Sequence, residues 1–82
     1  MLPNNQDVGD IYLKIARNIK KYRLLNGMSQ QDLAIKSGYS YAYIRRVEGP
    51  KCLKNFSIQT VSNIAEALGV DITALFEDNG IL

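Results

Sequence analysis

Residues 37–49, SGYSYAYIRRVEG, admit two backbones, and the choice between them decides what the whole chain folds into. Tyr39, Tyr41 and Tyr43 alternate as along one face of a β-strand, whereas Ile44 and Val47 stand three apart, as on the inner side of a helix. As a strand, one face would hold Tyr39, Tyr41, Tyr43, Arg45 and Val47, and the other Ser40, Ala42, Ile44, Arg46 and Glu48. Each face then mixes apolar side chains with an arginine. The rest of the chain offers no obvious partner strand, and a lone strand leaves its backbone groups unpaired. As a helix capped by Ser40 the same residues sort cleanly. Ile44 and Val47 turn inward, while Tyr41, Ala42, Arg45 and Arg46 share the outer side. The stretch reads as a short helix over 40–48, ended by Gly49 and Pro50.

Similar punctuation divides the remainder. Residues 1–10 read as a disordered N-terminal arm. From Ile11 the apolar residues Ile11, Ile15, Ile19 and Tyr22 recur about every four positions, an amphipathic helix stopped by Gly27. Ser29 with Asp32 three residues later is a capping-box pattern opening a helix over Gln30–Ser37, which Gly38 closes. Ser57 caps a fourth helix with Ile58, Val61, Ile64, Ala65 and Leu68 inward, closed by Gly69. Asp71 caps a fifth, ITALF, in which Ile72, Leu75 and Phe76 are apolar, and residues 78–82 form a tail. The expectation is all-α: a compact five-helix bundle over residues 11–77, with Tyr22 and Tyr39 in its core.

Charge narrows the function. The net is only +2, but all ten Lys and Arg fall between Lys14 and Lys54, against two acids, Asp32 and Glu48. That window carries +8, and the acids outside it leave both flanks negative. Such polarity fits a polyanion on one side of the molecule. An enzyme finds little support. There is no histidine, one cysteine (Cys52) cannot make a thiolate metal cluster, and no Gly-rich phosphate loop follows a strand. The lone cysteine fits a reducing, cytosolic setting, and no apolar run is long enough for a membrane span. No cofactor, metal or small-molecule ligand is expected.

Two short helices joined at Gly38, the second basic on its outer side, make a helix-turn-helix containing a helix that fits the DNA major groove, about 12 Å wide. Here SQQDLAIKSGYSYAYIRRVEG, preceded by KKYRLLNGM and followed by IAEALGV, resembles the Cro/C1-type (Xre-like) domain of phage repressors and restriction–modification controller proteins. The resemblance spans about residues 11–77. It implies a lambda-repressor-like fold that binds a near-palindromic operator as a homodimer. Carried over by position, base reading falls to Ser40, Tyr41, Ala42, Arg45 and Arg46. Gln30 matches the family position that bonds phosphate; Tyr43, on the flank of the helix, is placed to reach a phosphate through its hydroxyl, and Lys51, Lys54 and Asn55 are added from the loop GPKCLKNF, which is longer than the common family spacing. Arg23 and Glu48 match a structural salt bridge, and Ile72, Leu75 and Phe76 are the candidate dimer anchors. A second reading keeps the fold but gives it a protein partner, as in an antitoxin or anti-repressor. Leu24, Leu25, Ile81 and Leu82 are its spare apolar surface.

Overall fold

The computed structural model describes residues 5–49 and 56–78, with side chains from Ile11 onward. Those residues form α1 (Asn5–Leu25), α2 (Gln30–Ser37), α3 (Tyr41–Glu48), α4 (Ile58–Leu68) and a closing 3-10 turn (Ile72–Phe76), with no strand among them. The five α-helices expected are therefore four, and the fifth segment winds more tightly. Its shortness is the reason. The Asp71 carboxylate accepts from the Thr73 N–H at 2.9 Å and from the Thr73 hydroxyl at 2.8 Å, and the Ala74 N–H bonds three residues back to the Asp71 carbonyl. A five-residue segment bonded this way ends before a four-residue ladder can take over.

α1 begins at Asn5, inside the stretch read as an arm. Once Ile15 and Ile19 hold the helix against the core, each residue added at its N-terminus extends the ladder without a second nucleation cost.

The other boundaries follow local capping chemistry. Ser29 and Asp32 exchange both bonds of a capping box at 2.9 Å, Ser40 Oγ accepts from the Tyr43 N–H, and Ser57 Oγ from the Thr60 N–H. α2 ends at Gly38 with φ 82°, a left-handed conformation that glycine adopts without steric penalty, and its N–H bonds to the Ala34 carbonyl. That turn sets the angle at which α3 leaves α2.

One core gathers side chains from every element: Ile15 and Ile19 of α1, Leu33 of α2, Ile44 and Val47 of α3, Val61, Ile64 and Leu68 of α4, and Leu75 of the turn. Ile58, expected inward, is instead 66% exposed. Phe56 is buried ahead of it, edge-on to Tyr12 with ring centroids 4.8 Å apart. Asn18 is fully buried. Its Nδ2 donates to the Leu75 carbonyl at 2.9 Å and the Glu77 carbonyl at 2.8 Å, so α1 holds the 3-10 turn through one side chain. Nearby, the Tyr22 hydroxyl donates to Glu77 Oε1 at 2.6 Å, which raises the Tyr22 pKa, and Lys14 pairs with Asp78.

Candidate nucleic-acid interface

The surface of α3 divides as its sequence demands. Ile44 and Val47 are completely buried, and Tyr41, Ala42, Arg45 and Arg46 are exposed, with the cap residue Ser40 exposed beside them. The strand alternative for this stretch is thereby excluded. The Arg45 guanidinium lies over the Tyr41 ring, 5.6 Å from its centroid, so the two side chains meet one helical turn apart.

Behind this face, Arg23 and Glu48 form a two-bonded pair, Nε to Oε2 at 2.8 Å and Nη2 to Oε1 at 2.9 Å. Their side chains are 8% and 2% exposed. Arg23 Nη1 also donates to the Met28 carbonyl at 2.8 Å, and Gln30 Nε2 donates to Glu48 Oε1 at 3.3 Å. One ionic knot thus joins the end of α1, the start of α2 and the end of α3. It fixes where the basic face stands relative to the N-terminus of α2. Arg23, Ser29, Gln30, Gln31 and Tyr41 line an open hollow there. Gln30, half-buried in the lining of this hollow, is tied to Glu48 by that hydrogen bond.

Tyr43 is also half-buried on the flank of α3, and its ring stacks on that of Tyr39, with centroids 5.0 Å apart and planes at 28°. Tyr39 is partly buried against the core. Sequence reasoning missed its polar partners: Asn63 Nδ2 donates to the Tyr39 hydroxyl at 3.0 Å, and Thr60 Oγ1 lies 3.3 Å from it. Nothing in the chain marks Asn63 for that role. Asn18 did leave a signal, standing with Ile15, Ile19 and Tyr22 on the inner stripe of α1.

The three candidate dimer anchors separate. Phe76 is 38% exposed, Ile72 is partly buried, and Leu75 is completely enclosed by its own protomer. Leu75 therefore packs as a core residue of its own chain. Its carbonyl and the apolar packing around it draw it inward. Lys51, Lys54 and Asn55, with Pro50, Cys52 and Leu53 of the same loop, lie outside the described residues, as do residues 1–4, Ile81 and Leu82. Among the described residues no group of His, Cys, Asp and Glu is arranged to hold a metal, and no helix is long and apolar enough to cross a membrane.

A basic helix seated on the core by its apolar side, set by a left-handed glycine against a helix whose N-terminus is open, defines a helix-turn-helix domain. The family comparison agrees: residues 19–75 match the helix-turn-helix family, and the chain belongs to it, in its Cro/C1-type branch. That is a family of DNA-binding transcription regulators rather than of enzymes. The chain is 33% identical over 72 residues to Control protein C.SmaI of Serratia marcescens, covering 88% of this chain and 83% of that one. It is 32% identical over 69 residues to a hypothetical transcription factor of Neisseria meningitidis serogroup B, covering 84% of this chain and 60% of that protein. The crystal structure of a hypothetical transcription factor from Neisseria superposes with a TM-score of 0.77 at 31% identity, covering 94% of this chain and 87% of that one.

Proposed function

We propose that this protein is a cytosolic, sequence-specific regulator of transcription that binds a near-palindromic operator as a homodimer, with α3 in the major groove. The observation that carries the reading is the solvent-facing pair Arg45 and Arg46 on a helix whose opposite side is wholly buried. Either guanidinium can grip guanine O6 and N7 together, discriminating by about 1–3 kcal/mol for a good pair. Tyr41 and Ala42 offer contact to a thymine methyl, and Ser40 sits where the helix enters the groove. Gln30, Tyr43, Lys51, Lys54 and Asn55 are assigned to phosphates, where they set register without reading sequence.

Phe76, with Ile72 and the end of α4, is the surface assigned to the partner copy. Two copies joined there would address successive major grooves roughly 34 Å apart. A role as a control protein is supported by the likeness to C.SmaI.

Selection of sites from a random duplex pool tests this directly. A two-fold symmetric motif is expected, with affinity falling by orders of magnitude between about 50 and 200 mM salt if six or more phosphates are contacted. Arg45→Ala and Arg46→Ala should each relax preference at particular bases, whereas Gln30→Ala should weaken all sequences alike. Preference surviving both arginine changes sinks the assigned reading face. The exposed apolar residues Leu24, Leu25 and Ile35 favour a protein partner as the second reading, and failure to enrich any site at low salt would move the assignment there.

A further inference from the structure

Tyr43 poses a problem of positioning. Its hydroxyl has no hydrogen-bond partner among the described residues, so only the ring can be held in the free protein. The surface that holds it is Tyr39, which belongs to the turn before α3 and not to α3 itself. Tyr39 is in turn fastened to α4 by a directed chain of hydrogen bonds. Gln59 Nε2 donates to Asn63 Oδ1 at 3.0 Å, which orients the Asn63 amide so that its Nδ2 faces the Tyr39 hydroxyl. The Tyr39 hydroxyl, accepting that bond, has its own proton free for Thr60 Oγ1 at 3.3 Å, and Thr60 Oγ1 is 3.2 Å from the Ser57 hydroxyl. The chain therefore runs from the exposed side of α4 to the ring that backs Tyr43.

From this arrangement we infer that Tyr39 is a positioning residue for DNA binding: anchored by Asn63 of α4, it presents Tyr43 to the DNA backbone. The inference rests on the reading of α3 as the DNA-facing helix. Tyr39 and Asn63 touch no base in it. They restrict the rotamers of Tyr43, so that less side-chain freedom is lost when its hydroxyl meets a phosphate. The polar face of α4 then tunes affinity without touching specificity.

Tyr39→Phe keeps the ring and removes the hydroxyl, and Asn63→Ala removes the donor from the other side. Duplex binding by each variant is measured on the selected operator, in the wild-type background and in a Tyr43→Phe background, with thermal melts run beside them. Each change is expected to weaken binding roughly three- to tenfold, the scale of one neutral hydrogen bond. The preferred site and the salt slope should stay unchanged, and the penalty should vanish once Tyr43 is already Phe. A merely structural role would lower the melting temperature and carry its full penalty into the Tyr43→Phe background. That result overturns the inference, as does wild-type affinity in both variants. Failure of the underlying reading looks different: the wild-type chain itself binds no duplex at about 50 mM salt, and the inference falls with it.

Discussion

Among the described residues two ion pairs tie α1 to other parts of the fold, one to α3 and one to the residues after the 3-10 turn, and they could hardly differ more. At its C-terminal end Arg23 meets Glu48 of α3 with two hydrogen bonds, in surroundings that leave the side chains 8% and 2% exposed. Two turns and more before it, Lys14 meets Asp78 beyond the 3-10 turn, with side chains 37% and 91% exposed. The same charges in contact do different things. Water already solvates Asp78, so losing its partner costs little. Glu48 has no water to fall back on, and neither half of the inner pair can be left alone. The inner pair fixes α3. At the other end the 3-10 turn is held by Asn18, and the outer pair adds little.

The largest expected effect is therefore on the inner pair. Arg23→Ala or Glu48→Ala should cost about 3–5 kcal/mol in urea unfolding at fixed protein concentration, a large share of the roughly 5–15 kcal/mol a small domain has. Replacing both by Met and Leu together should recover most of that loss, because no unpaired charge remains. A double replacement as damaging as either single one would mean that packing, not charge, makes the knot.

Asn18→Ala comes next. It strips the donor from the buried Leu75 carbonyl and from that of Glu77, and should cost about 1–3 kcal/mol for each carbonyl left dry. If the turn carries the partner surface, dimer dissociation followed by sedimentation should shift in the same variant. Stability falling with dimerisation intact would separate the turn from the interface.

The smallest effect belongs to the outer pair. Lys14→Ala should leave the melting temperature unchanged at pH 7, and a clear drop would show that exposure misjudges this contact. Acid should reveal the carboxylates instead. Asp32 is held below its ordinary pKa of 3.8 by the Ser29 backbone N–H and hydroxyl, Asp71 by Thr73, and Asp78 by the hydrogen bond and charge of Lys14. A carboxyl depressed in the folded state stabilises above its unfolded pKa, and that contribution is lost as pH falls through the folded value. Stability should thus decline below about pH 4, and Asp32→Asn should make that acid limb shallower.

Much of this layout was legible because its signals are local. Ser29, Ser40, Ser57 and Asp71 each accept a bond from an N–H two or three residues ahead, so the starts of α2, α3, α4 and the 3-10 turn can be read without knowing any tertiary contact. The basic outer face of α3 followed from periodicity alone. The start of α1 did not, because the apolar repeat that marks this helix begins only at Ile11, six residues after the helix does. Nor did the winding of the last segment, since its apolar pattern suits an α-helix and a 3-10 turn equally. The candidate site divides along the same line: Arg45, Arg46 and Tyr41 were visible as an exposed face, while the Asn63 bond that holds Tyr39 was not.

By itself the sequence determined where α2, α3, α4 and the 3-10 turn start, which side of α3 meets solvent, and that the charge on that side is positive. All of these depend on residues within a turn or two of each other. Tertiary structure decided what depends on distance: that Leu75 is enclosed in the core, that Ile58 stands in solvent while Phe56 takes the core, and that Asn18 reaches across to carbonyls 57 and 59 residues away. Whether an apolar or amide side chain is buried is set by what the rest of the chain brings against it, and that information is not in its neighbours.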